Sequence, residues 1–289
     1  MSTELFDLFL IDSSVDFCDP KGSIYVPGAW DDANRTMNLI MQLGIASRYI
    51  KRIFVAMDEH HAMDITHPGW WLDDRGEHPE SFTFMTWVRG SVVGTSISGV
   101  QRFYTATVPE LMDKGGPGDK GTMGVMEALA KQGKGLMVWP EHNVVGTPGQ
   151  ALVTPVRTAL RRWELATGQQ AHWKFKGQCP WTENHGAFQA EIYMEDDRRT
   201  WYDAKLLREL MNGEGHARRK LIAGQASTHC VPQTVRQMMA GIVMCLPQDI
   251  VMLTDTMSPV TGHEDKWTAF RDEFEPLGMT FTTTLELAA

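Results

Sequence analysis

Six short apolar runs, rich in β-branched and aromatic residues and spaced by helix-length segments, constrain this chain more than any other feature. The runs are DLFLID (7–12), RIFVAM (52–57), GLMVW (135–139), AHWKF (171–175), KLIAG (220–224) and DIVMLTD (249–255), and the helical stretches are 31–47, 154–167, 203–212, 231–244 and 264–276. Near-continuous apolar strands need cover on both faces, and strands separated by helices pair in parallel. The expectation is therefore an α/β chain: one doubly wound domain over residues 1–289, with a six-stranded parallel sheet and helices on both faces. Ligands of such sheets bind beyond the carboxyl ends of the strands. The first reactive polar residues met there are Asp12, Asp58, His142, Lys176 and Cys230.

Residues 68–134 interrupt the alternation. They carry PGWWLDD, FTFMTWVRG and KGGPGDKGT without sustained periodicity, and so read as a long insertion. Segments of this kind act as lids or binding elements, and their aromatic residues suit contacts between copies of the chain, so a homo-oligomer is expected. Composition narrows the partners. The 27 Lys and Arg against 36 Asp and Glu give a net charge of -9, and no basic block marks a nucleic-acid partner. The apolar runs fall short of the roughly 20 residues that span a bilayer, and the segment MSTELFD lacks the basic stretch of a secretory signal. Cys18, Cys179, Cys230 and Cys245 are scattered without a CxxC pair, which fits a reducing compartment. No membrane partner and a cytoplasmic location are expected.

Each strand-end residue has an ordinary use taken alone: Asp12 as a helix cap, Lys176 as a surface charge, Cys230 as buried filler. Together they imply chemistry. Asp58 and His60 are two apart, a spacing that turns both side chains to one side. With His142 they form a carboxylate–imidazole set suited to zinc, iron or manganese. Cys230 falls at the start of a helix, where amide dipoles favour a thiolate, and an acid and a lysine nearby would complete a nucleophilic site.

These segments resemble the nicotinamidase branch of the isochorismatase-like cysteine hydrolases. IDSSVDFCDPKGSIYVPGA looks like the opening segment with its catalytic Asp, DEH like the metal-binding Asp-x-His, and WPEHNVVGTPG like the segment bearing a further metal-binding His. KGQCPWTENHGAF resembles the segment with the catalytic Lys, and GQASTHCV the nucleophile loop.

The resemblance implies a Rossmann-like, isochorismatase-like hydrolase fold and a triad of Asp12, Lys176 and Cys230. It also implies a divalent metal, zinc foremost, on Asp58, His60 and His142, with Asp64 or His67 as a further ligand. A cis peptide is implied at Gln225–Ala226, an oxyanion hole from the amides of Ala226 and Cys230, and flanking of the substrate ring by Phe17 and Trp139. His185 stands where relatives carry a pocket aromatic, and is expected to face the substrate. The implied reaction is hydrolysis of a small carboxamide, nicotinamide first, through a cysteine thioester. A related amide or carbamoyl hydrolase and an inactive metal-binding scaffold are the alternatives.

Overall fold

In the computed structural model, which describes residues 4–211, 218–241 and 245–288, strand β1 (Phe6–Ile11) is buried along its whole length. Helices α1 (Val15–Cys18) and α2 (Ala29–Leu39) follow it, and a wider helical turn over Ile40–Ala46 leads to β2 (Ile50–Asp58). Next come β3 (Trp71–Asp73), β4 (Thr83–Val88), β5 (Ser91–Thr95), β6 (Gln101–Ala106), α3 (Gly121–Lys131) and β7 (Leu136–Val138). The remainder is α4 (Thr154–Thr167), β8 (His172–Lys176), α5 (Ala204–Met211), β9 (Arg219–Gly224), α6 (Cys230–Ala240), β10 (Ile250–Leu253), α7 (Glu264–Phe274), β11 (Thr280–Thr282) and α8 (Thr284–Ala288). The expected helices over 203–212 and 231–244 correspond to α5 and α6; residue 212 and residues 242–244 lie outside the described residues.

Six strands form a sheet in the order β11-β10-β9-β1-β2-β8, and every neighbouring pair is parallel. Side chains of β1 alternate between two cores, as strand geometry requires. Leu8 and Leu10 pack with Ala33, Leu39, Val156 and Trp163 from α2 and α4. Phe9 and Ile11 pack with Leu207, Val231, Val235 and Phe270 from α5, α6 and α7. Helices thus cover both faces where β1, β2, β9 and β10 run buried, whereas the edge strand β8 leaves Trp173 and Phe175 exposed.

One strand is placed differently from the sequence expectation. The run 135–139 supplies β7 to a second, antiparallel sheet of order β3-β6-β5-β4-β7, and the sixth parallel strand is instead β11. β7 pairs with β4 through Thr83 and Val138, a contact between residues far apart in sequence. The stretch 68–134 is therefore not an irregular loop: it builds most of this second sheet and packs α3 onto it. Its core holds Trp70, Trp71, Met85, Tyr104, Val125 and Leu129. Trp70 and Trp71 are buried, whereas Phe84 and Phe103 are 41% and 61% exposed. No helix among the described residues is long and apolar enough to cross a membrane.

Candidate active site

The parallel register brings the chemistry together. Ile11 lies opposite both Ala56 and Gly224, and Asp58 opposite Lys176, so β1, β2, β8 and β9 end at one level. Asp12 follows β1 with φ 47, a left-handed conformation uncommon outside glycine, held by its N–H to the Ala56 carbonyl at 2.9 Å. Ser14, rather than Asp12, caps α1, its hydroxyl accepting from the Phe17 amide. At the end of β9 only glycine fits: Gly224 has φ 123, and a Cβ there would lie 1.8 Å from the Ile11 carbonyl oxygen.

Asp12, Lys176 and Cys230 meet in a buried cluster. Lys176 Nζ lies 2.9 Å from Asp12 Oδ2 and 2.6 Å from Asp58 Oδ1. It donates to the Asn184 carbonyl at 2.9 Å and approaches Cys230 Sγ at 3.7 Å. The Asp12 ion pair lies off the hydrogen-bond direction, so among the described residues neither Asp12 carboxylate oxygen receives an aligned donor. One carboxylate oxygen each from Asp12 and Asp58 and the Cys230 sulfur lie within 4.8 Å of one another. An acceptor for the thiol proton is in reach.

Burial sets the electrostatics. Desolvation foremost, with the charge of Asp58, pushes Asp12 up to about 7 against the pull of Lys176. Desolvation also lifts the Cys230 thiol well above its ordinary value, and Lys176 only partly opposes it. Burial thus works against the thiolate that the start of the helix favours. Lys176 is the reverse case, since burial disfavours its charge but Asp12, Asp58 and Cys230 outweigh burial and hold it protonated.

Asp58, His60 and His142 offer three buried donors within 4.8 Å of one another. His60 Nδ1 lies 3.0 Å from Asp64 Oδ2, and His142 Nδ1 lies 2.8 Å from the Pro140 carbonyl. These acceptors hold a proton on Nδ1 of both rings and leave each Nε2 for a metal, the arrangement seen in metal-binding histidines. Asp64 lifts His60 to about 9 against burial, and a cation bound at Nε2 takes that proton's place. Asp64 is committed behind His60, its other oxygen accepting from the Thr66 amide and hydroxyl. His67 lies with Nε2 3.3 Å from His142 Nδ1 and is not in the three-donor group.

Sequence reasoning passed over Gly177. With φ 79, it leaves open a space where a Cβ would lie 2.9 Å from His60 Cε1, 3.2 Å from Nε2 and 3.3 Å from Asp58 Oδ1. The positive φ and the room kept beside the donors both fit a bound ion.

A cavity of about 540 Å³ opens beside these groups, lined by Phe17, Asp58, Trp139, His142, Ala226 and Cys230, and also by Glu183, His185 and His229. The Phe17 ring meets His142 edge-on at 5.5 Å. Trp139 donates its indole N–H to Glu183 at 2.8 Å. His185 lies with Nε2 3.7 Å from Glu183 and Nδ1 3.5 Å from Glu191, and these carboxylates outweigh burial and raise its pKa. Glu183 and His229 gave no sign in the spacing of motifs; their place on the wall follows from the loops around them.

The Gln225–Ala226 peptide is cis, as the resemblance implied. The Gln225 side chain donates to Asp32 at 2.9 Å and accepts from the Ser258 amide. Among the described residues, the amides of Ala226 and Cys230 have no protein acceptor outside regular structure. They remain available to an oxyanion.

No family model matches the sequence, and no curated protein matches it. Solved structures do. A yeast nicotinamidase superposes with a TM-score of 0.61 at 19% identity, over 96% of this chain and 99% of that one. A protein from L. infantum solved in complex with nicotinate gives 0.55 at 18%, over 99% and 96%. A pyrazinamidase of Pyrococcus horikoshii in complex with zinc gives 0.51 at 15%, over 96% and 98%. The shared property is the fold of these nicotinamidase and pyrazinamidase structures.

Proposed function

We propose that this chain is a metal-dependent cysteine amidohydrolase acting on small carboxamides, with nicotinamide the first substrate to test. One observation carries the reading: a single buried ammonium, Lys176 Nζ, contacts the acid Asp12, the thiol of Cys230 and the carboxylate Asp58 of a three-donor metal cluster. Structural ion pairs do not need a thiol and a metal cluster on one lysine.

In the first step the Cys230 sulfur attacks the carboxamide carbon while Asp12 accepts the thiol proton. The raised pKa of Asp12 suits it to take that proton and to return it. The amides of Ala226 and Cys230 face the developing oxyanion. Asp12 then gives its proton to the departing nitrogen, ammonia leaves, and the acyl group stays on sulfur. A water that loses its proton to Asp12 cleaves the thioester, yielding the carboxylic acid and restoring the thiol. Lys176 holds its charge throughout and keeps the two acids from repelling.

Asp58, His60 and His142 would hold the divalent ion, zinc before iron or manganese on this nitrogen-rich donor set. When bound, the ion supplies a Lewis-acidic anchor that orients a ring nitrogen or another substrate donor. Phe17 and Trp139 would flank the substrate ring, and His185 faces it. The reaction class fits pyridine nucleotide salvage. Four free, buried cysteines support a cytoplasmic setting.

Ammonia release from a panel of carboxamides, with and without added metal, tests the reading. Turnover of nicotinamide that disappears in Cys230→Ala is expected. A Cys230→Ala protein that releases ammonia at the wild-type rate would overturn the assignment.

A further inference from the structure

The cavity beside Cys230 is one of two that share a wall. A second cavity, of about 340 Å³, is lined by His185 and His229 together with Glu191, Arg236, Lys266 and Phe270. His185 and His229 also line the first cavity, with ring centroids 5.8 Å apart and planes tilted by 34°. Both rings lean on Trp139, at 6.3 and 5.6 Å. Side chains, not a strand or helix, thus stand between the two spaces. The first cavity alone falls within the range of about 300–1,000 Å³ that holds drug-sized ligands, more than a pyridine ring with one carboxamide requires.

The charges of the second cavity are unequally matched. Arg236 is held by both oxygens of Glu273, at 2.7 and 2.6 Å. Glu191 is shared between Lys134 and His185. Lys266, in the first turn of α7, forms no ion pair among the described residues; its Nζ lies 3.3 Å from His229 Nε2. An imidazole nitrogen facing an ammonium accepts its hydrogen bond, which leaves the His229 proton on Nδ1, 2.9 Å from the Thr228 hydroxyl. That contact supplies a hydrogen bond but no countercharge. Lys266 is exposed, and among the described residues only its neighbour Asp265 acts on it electrostatically, so in a chain of net charge -9 its ammonium at the cavity, free of any ion pair, is a place for an anionic group.

We propose that the site takes carboxamides bearing a second, anionic group, a carboxylate being the class that fits, which lodges in the second cavity against Lys266 while the amide lies at Cys230. The inference rests on the amidohydrolase reading and adds the substrate class. His185 and His229 line both spaces, and His185, whose Nε2 has no hydrogen-bond partner among the described residues, can donate to an acceptor placed between them.

The test compares nicotinamide with 5-carbamoylpyridine-3-carboxylate, the same ring and amide with an added carboxylate, on wild type, Lys266→Met and Lys266→Arg. Lys266→Met is expected to lower the ratio of kcat/KM for the acid over that for nicotinamide by about fivefold, the scale of a partly exposed ion pair. The change should fall in KM, and Lys266→Arg should restore most of it. An unchanged ratio in Lys266→Met, or wild type that hydrolyses nicotinamide but not the acid, overturns the inference and leaves the amidohydrolase reading standing. Should wild type hydrolyse neither compound, the amidohydrolase reading fails, and calorimetric binding of pyridine-3,5-dicarboxylate still judges the cavity. Absence of binding, or binding indifferent to Lys266→Met, then overturns the inference as well.

Discussion

Lys176 Nζ stands closer to Asp58, at 2.6 Å, than to Asp12, at 2.9 Å, so one ammonium neutralises the acid beside the thiol and the acid of the donor cluster together. Both carboxylates are buried, and each raises the pKa of the lysine. Removing one partner of a buried charge cluster leaves the others uncompensated, at a cost of about 3–5 kcal/mol. Lys176→Met is therefore expected to lower the unfolding midpoint in urea and, by raising Asp12 further, to cut turnover by about 100-fold or more. A variant of wild-type stability and activity would show that the ammonium is dispensable to both acids.

Asp12 supplies a pH dependence with a definite sign. Burial raises its pKa to about 7 from an ordinary 3.8, and the reaction needs its ionised form to take the thiol proton. The rate should rise with pH through about 7. Stability runs the other way. A carboxyl whose pKa is raised on folding contributes stability that is fully present below pH 3.8 and is lost as pH climbs through about 7. Asp12→Asn should therefore lose about 1,000-fold in rate while its Tm falls less steeply than that of wild type between pH 5 and pH 8. Parallel Tm profiles for the two proteins would remove Asp12 as the titrating group.

Much of this site is legible in the sequence because most of its parts stand at or just after a strand end. Asp12 and Asp58 end apolar runs whose burial forces the next polar side chain into the crevice, Lys176 ends the largely exposed edge strand β8, and Cys230 follows the turn after Gly224. His142 follows β7, which belongs to the antiparallel sheet rather than the parallel one that the apolar run implies. The bridge of His60 to Val144, not a shared parallel sheet, brings it to the donors. An apolar run shows that a strand is buried; its partner is decided by residues such as Thr83. β11 leaves no apolar run in the sequence because TFT is short and only half-buried. Asp64 and His67 are equal alternatives for a further ligand in the sequence, and side-chain geometry sets Asp64 behind His60.

Gly177→Ala tests the donor cluster without removing a donor. The new methyl would approach His60 Nε2 at 3.2 Å and impose a side chain on a φ of 79, which costs about 1 kcal/mol in backbone strain. Metal content measured on the purified variant should fall below that of wild type, and KM for pyridine carboxamides should rise more than kcat falls. Full occupancy with unchanged KM would place the metal elsewhere. Asp64→Asn weakens the same cluster from behind, by loosening the His60 ring, and about 10-fold lower metal affinity is expected.

The resting state of Cys230 is the last property to test, because its protonation decides how the reaction begins. A thiolate at rest would be alkylated at a rate indifferent to pH near neutrality. Here burial lifts the thiol well above 9.0, the charges of Asp12 and Asp58 add to that, and Lys176 only partly opposes it. Iodoacetamide, itself a small primary amide, should therefore label Cys230 slowly at pH 7 and faster with each rise in pH toward 10. Cys179 and Cys245 are pushed up to about 12 by burial, and Cys18 is raised further by the same cause; none of the three lines the large cavity, so the adduct should map to Cys230 by mass spectrometry. Lys176→Met removes the one charge that favours the thiolate and should slow labelling again at fixed pH. A labelling rate flat from pH 6 upward would mean that the thiolate exists before substrate arrives, and that Asp12 is not needed to create it.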